Sequence, residues 1–194
     1  MVFEPNYLLW HYAYKDKVSH ETILNFYSSM MDVIWQGNPE YNIVMLPQLF
    51  GRDDEYPMSD VQLFRDLAKL KNDERVIITS DNYSSDVQQA VISHAKYVIG
   101  ARYHSIVFAI NQNTPFISLS YEHKMVGLLE TLGKLGCCVD FTKTFDSDEN
   151  QKQTLEHVKN IIPNLAKDEN LRKEAKAIAY KGMDAFIKTI NNLK

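Results

Sequence analysis

The chain has 194 residues, of which 45% are hydrophobic and 24% charged, a profile that suits one globular domain with its own core. Its formal net charge of -4, with the basic residues scattered, argues against nucleic-acid binding, because a phosphate backbone demands a concentrated basic face. No stretch approaches the roughly 20 apolar residues of a membrane span and no signal-like start is present, so the sequence reads as soluble and cytoplasmic.

In chain order, an apolar and aromatic run at residues 7–12 reads as a first strand. Ser19 is a plausible cap for the helix that follows, patterned by Ile23, Phe26, Tyr27, Met30, Met31 and Ile34 and ending near Gly37. A second strand at 42–46 closes at Pro47. After a polar loop, Ser59 or Asp60 caps a helix carrying Val61, Phe64, Leu67 and Leu70.

The series continues with strands at 76–79, 97–100 and 115–119, separated by helices at about 85–95 and through 106–110. A helix running to about Leu132 and a last strand at 137–141 follow. A polar loop at 142–151 comes next, in which the run DSDEN (146–150) is expected to be mobile. Two helices parted near Pro163 end the chain, and they are expected to pack back on the sheet. Short continuous apolar strands alternating with helices predict an α/β fold, an open doubly wound, Rossmann-like parallel sheet buried on both faces. One domain, 1–194, is expected.

Cys137 and Cys138 are adjacent, which makes a mutual disulfide awkward, and they are expected to be reduced and buried. Ligand pairs at zinc-like spacing are missing, so no structural metal is expected. Neither a GxGxxG nor a GxxxxGK[ST] stretch occurs, which argues against a dinucleotide cofactor or P-loop nucleotide.

In an open α/β sheet, ligands sit outside the carboxyl ends of the strands. The loop after the second strand holds Pro47, Gln48, Phe50, Gly51, Arg52, Asp53 and Asp54; the one after the third holds Ser80, Asp81, Asn82 and Tyr83. After the fourth strand, GARYHS (100–105) combines a glycine turn with Arg102 and His104 at a helix start. A guanidinium there can hold a carboxylate or phosphate through paired hydrogen bonds, and an imidazole can exchange a proton. After the fifth strand, SYEHK (120–124) opens another helix and offers Lys124 as a point charge for phosphate, with Glu122 its competing partner. The blander readings are a helix cap for Arg-x-His and a solvated lysine for Lys124. The remaining histidines, His11, His20, His94, His123 and His157, show no mutual spacing that argues for a site.

The stretch YVIGARYHSIVFAINQNTPFISLSYEHKMVGLLETLG, residues 97–133, resembles the polysaccharide pyruvyl transferase family. That family's hallmark is an Arg-x-His after a strand, then a strand containing proline, then a Tyr-x-x-Lys. Upstream, Leu46-Pro47-Gln48, Ser59-Asp60 and VIITSDNYSS extend the likeness over roughly 7–140. The resemblance implies the C-terminal, donor-binding half of a glycosyltransferase-B-type enzyme, in which phosphoenolpyruvate gives pyruvate to two hydroxyls of a sugar as a ketal during exopolysaccharide synthesis. It implies His104 as the catalytic acid or base and Arg102 and Lys124 as ligands of phosphoenolpyruvate; Gln48, Tyr121 and Glu122 complete the substrate-binding candidates. No cofactor is expected beyond the donor substrate, and the acceptor is a glycan or lipid-linked sugar. The N-terminal acceptor domain is absent from this sequence, so the chain alone is expected to be weakly active or inactive. Tyr103 departs from the leucine or methionine common in the family between Arg and His. Two other readings remain: half of a nucleotide-sugar glycosyltransferase or epimerase, with Glu122 as a faint ribose ligand, and a non-catalytic binding module.

Overall fold

A computed structural model describes residues 1–6, 18–50, 59–79 and 81–191. Six strands form one parallel sheet: β1 (Val2–Glu4), β2 (Ile43–Met45), β3 (Val76–Ile78), β4 (Val98–Gly100), β5 (Phe116–Ser120) and β6 (Cys138–Asp140). Their spatial order is β3-β2-β1-β4-β5-β6, with every neighbouring pair parallel. That order is the doubly wound, Rossmann-like one, whose direction of winding reverses between β1 and β4.

The first strand lies upstream of the expected one. Val2–Glu4 sits between β2 and β4 with Val2 opposite Val44 and Glu4 opposite Gly100. The 7–12 run, with His11, lies outside the described residues, as do Gly51 to Asp54 and Ser80.

Helices cover both faces. On one side lie α1 (His20–Gly37), α2 (Asp60–Lys71) and α6 (Asp148–Ile161); on the other lie α3 (Ser85–Ser93), α4 (Tyr103–Asn111) and α5 (His123–Thr131). Side chains alternate along each strand, so Phe3, Ile99 and Ile117 enter the first core, while Val2, Val98 and Phe116 enter the second. Helix α1 forms because its apolar residues recur at helical spacing, and Ser19 caps it by accepting from the Thr22 amide at 3.1 Å. Its buried stripe meets Phe141 and Phe145 through Phe26 in edge-on ring contacts.

Burial on both faces fails at one edge. β3 ends the sheet, and Ile77 is 42% exposed. The DSDEN run is ordered into helix: Ser147 caps α6 by accepting from the Asn150 amide, and Asp148 and Glu149 occupy the first turn, where the helix dipole favours them. Cys137 and Cys138 are free and half-buried rather than buried, and Cys138 Sγ donates to Ser120 Oγ. The last helix, α7 (Leu171–Asn191), starts with Leu171 buried in the second core, and further along it Tyr180, Met183, Phe186 and Ile187 are exposed. Among the described residues, no helix is long and apolar enough to cross a membrane.

Candidate active site

The central strands end in residues with small or polar side chains on the α4 side. Register places Glu4 beside Gly100 and Gly100 beside Ser118. Gly100 is required by close approach: a Cβ there would stand 2.3 Å from Ser105 Oγ. Helix α4 therefore begins directly on the end of β4. Arg102 is its N-cap residue, and Ser105 Oγ turns back to donate to the Arg102 carbonyl at 2.6 Å.

The Arg102 side chain points inward and is only 10% exposed. Its Nε and Nη2 donate to the two carboxylate oxygens of Asp60, the first residue of α2. Asp60 Oδ2 also accepts the backbone amides of Gln48 at 3.1 Å and Leu49 at 2.9 Å. One carboxylate thus joins the loop after β2, the start of α2 and the loop after β4. Burial pushes the Asp60 carboxyl upward in pKa, against the pull of Arg102 and the two amides. The Gln48 side chain donates to Gln88 Oε1 at 2.8 Å, and Gln88 donates in turn to the Tyr83 carbonyl.

Glu4 lies in the same cluster. It is fully buried, neither carboxyl oxygen makes a hydrogen bond of good geometry although the polar side chains of Ser105 and Gln48 lie near it, and its pKa is raised to about 8. Loss of hydration is the main cause and the Asp60 charge adds to it, while Ser105, Gln48 and Arg102 oppose. Two buried carboxyls facing one guanidinium would leave a net negative charge in the interior, and holding a proton on Glu4 removes it. Next to this cluster, Asn6 donates to the Ala101 carbonyl at 2.8 Å and to Tyr121 Oη at 3.2 Å. Burial, helped by the Glu122 charge, lifts the Tyr121 hydroxyl to about 12.

Lys124 belongs to a more open group. It stands in the first turn of α5, whose cap is Glu122, and its ammonium is 2.7 Å from Glu122 Oε2 and 5.7 Å from the centre of the Tyr103 ring. Its side chain is 60% exposed. His104 is also exposed, one position past Tyr103, and its ring makes contacts with Tyr103 and Phe108.

The structure therefore gathers the sequence candidates into two groups at the carboxyl ends of β4 and β5. Arg102 and Gln48 meet through Asp60, with Tyr121 joined through Asn6; Lys124, Glu122 and Tyr103 form the outer group, with His104 beside it. Asp60, Glu4, Asn6 and Gln88 were not singled out for the site by sequence reasoning. Asp60 looked like a helix cap, and its further signal was the Ser59-Asp60 pair in the looser, upstream part of the family likeness, which assigned it no role in the site. Glu4 had none, because a lone glutamate after two apolar residues reads as a surface position.

A sequence profile of the polysaccharide pyruvyl transferase family matches residues 11–123, more than half of the chain, a span that holds Gln48, Asp60, Arg102, His104, Tyr121 and Glu122 and ends one residue before Lys124. The chain belongs to the polysaccharide pyruvyl transferase family. As a family member it is similar to the amylovoran biosynthesis protein AmsJ of Erwinia amylovora, with 28% identity over 96 residues. That stretch is 48% of this chain and 22% of the relative, so the chain spans only a minor part of the relative's length. No solved structure matches. Within this family member, the Arg-x-His and Tyr-x-x-Lys segments lie directly after adjacent, hydrogen-bonded strands.

Proposed function

We propose that this chain is the donor half of a pyruvyl transferase and binds phosphoenolpyruvate at the ends of β4 and β5 for transfer to a sugar of an exopolysaccharide. The observation that supports this reading most directly is the pairing of a shielded cation, Arg102, with a solvent-facing one, Lys124, on neighbouring strand ends. Phosphoenolpyruvate carries two anionic ends, a carboxylate and a phosphate, and two cations of different setting suit it.

The chemistry asks for one proton and several positive charges. A proton delivered to the methylene carbon of phosphoenolpyruvate makes it a methyl and leaves an oxocarbenium-like centre at C2. One sugar hydroxyl adds there and loses its proton. The C2–O bond to phosphate then breaks, inorganic phosphate departs with the electron pair, and a second hydroxyl adds to C2 and gives up its proton to close the ketal. His104, exposed beside the outer group and two residues from Arg102, is the proton carrier in this scheme. Arg102 and Lys124 stabilise the charge that accumulates on phosphate and carboxylate. The acceptor sugar and the second wall of the active site are supplied, in this reading, by a further domain of a glycosyltransferase-B-type enzyme, and the reaction belongs in the cytoplasm.

Calorimetric titration of the chain with phosphoenolpyruvate at low salt, beside a panel of nucleotide sugars, tests the reading. Phosphoenolpyruvate is expected to bind, more weakly in Arg102→Ala and Lys124→Ala and with little change in His104→Ala. Preference for a nucleotide sugar would move the chain to the glycosyltransferases and overturn it.

A further inference from the structure

Arg102 is the N-cap of α4 by its backbone, yet its side chain turns away from the helix and into the protein. The guanidinium is held from one side only. Nε and Nη2 face Asp60, which leaves the Nη1 amino group and one Nη2 hydrogen uncommitted to it. A long arginine side chain loses much rotamer freedom when fixed, so a ligand-binding arginine gains from being fixed in advance. Asp60 is itself fixed. It starts α2, it is almost wholly buried, and Oδ2 takes two backbone amides from the strand-end loop that carries Gln48.

We propose that Asp60 is a positioning residue that locks the Arg102 guanidinium edge-on, so that its free edge is presented to the anionic end of the donor while the Gln48 loop is held in register with it. The idea rests on the donor-half reading for the identity of the ligand, but not for the orientation of Arg102. Asp60→Asn separates the two tasks. An asparagine oxygen in place of Oδ2 keeps both loop amides and Arg102 Nε satisfied, whereas its NH2 group meets Arg102 Nη2 donor to donor and breaks the two-point clamp.

The test has a ligand-free arm and a ligand arm, both on the full chain. Without ligand, the Nη2–H resonances of Arg102 in an NMR spectrum are expected to be resolved and slow to exchange with water, and to lose that protection in Asp60→Asn. A rapidly exchanging Arg102 in the unsubstituted chain, as for a surface arginine, overturns the proposal, and this measurement needs no variant to fold. With phosphoenolpyruvate as probe, Asp60→Asn is expected to weaken binding about tenfold or more, and to add nothing in an Arg102→Ala background, because a residue acting through another shows non-additive effects. An undiminished loss in the Arg102→Ala background would mean that Asp60 acts only by holding the fold, and the proposal fails. Protected Arg102 without any binding of phosphoenolpyruvate would sink the donor reading and leave the positioning role standing.

Discussion

The Lys124 ammonium lies 5.7 Å from the centre of the Tyr103 ring, so the start of α5 touches the start of α4 through a cation and an aromatic face. Tyr103 occupies the position between Arg and His, and it gives the exposed lysine a second partner beside Glu122. A cation over a ring at an exposed site contributes about 0.5–1 kcal/mol. Tyr103→Leu is therefore expected to weaken phosphoenolpyruvate binding only about two- to fivefold, with unfolding stability nearly unchanged, as calorimetry and urea titration would register. A loss as large as that of Lys124→Ala would mean that Tyr103 touches the ligand itself.

Removing each cation in turn should separate stability from surface charge. Arg102→Ala strands a buried carboxylate on Asp60, which costs about 3–5 kcal/mol. Lys124→Ala removes an exposed pair, which is worth at most about 1 kcal/mol. Urea unfolding of the two variants should differ by several kcal/mol in this order, and equal stabilities would contradict the buried pair.

Glu4 makes stability depend on pH. Its carboxyl titrates near 4.5 in the unfolded chain and at about 8 in the folded one. Between those values the folded chain keeps a proton that the unfolded chain has lost, so stability falls as pH rises from about 4.5 to 8, by up to about 1.4 kcal/mol per pH unit. Glu4→Gln, an uncharged shape mimic of the protonated acid, should flatten this slope and leave the chain more stable than the parent at pH 8. Thermal melts across the interval would show it, and parallel curves for both proteins would refute it.

Gly100→Ala places a methyl 2.3 Å from Ser105 Oγ and 3.1 Å from Ser105 Cβ. Overpacking of this kind costs about 1–3 kcal/mol. A further Ser105→Ala change removes the closer of the two contacts, so the double variant should regain part of the loss in melting temperature.

The segments around β4, α4, β5 and α5 were legible in the sequence because their strands are uninterrupted apolar runs with turn residues at either end, and because Gly100 and Pro115 punctuate them. β1 was not legible. Val2–Glu4 is three residues long and ends in a carboxyl, and nothing local announces that Glu4 is buried; its burial comes from the crossing of chain segments about a hundred residues apart, Glu4 opposite Gly100. Asp60 was visible as a cap and as part of the upstream family likeness but not as a site residue, because its true partners, Gln48, Leu49 and Arg102, are assembled by the sheet order. The DSDEN run misled for the opposite reason: composition suggested a mobile loop, while Ser147 three residues before Asn150 is a helix start.

The close seat of α4 on Gly100 sets the two cationic groups apart in compliance. Arg102 rides on a helix whose first turn packs Ser105 directly onto a glycine of the strand beneath, and its guanidinium is clamped at the far end by Asp60. Lys124 sits on an exposed stem between a surface carboxylate and a ring. A reactant whose shape changes as it turns from trigonal to tetrahedral would find one anchor that holds still and one that can follow it.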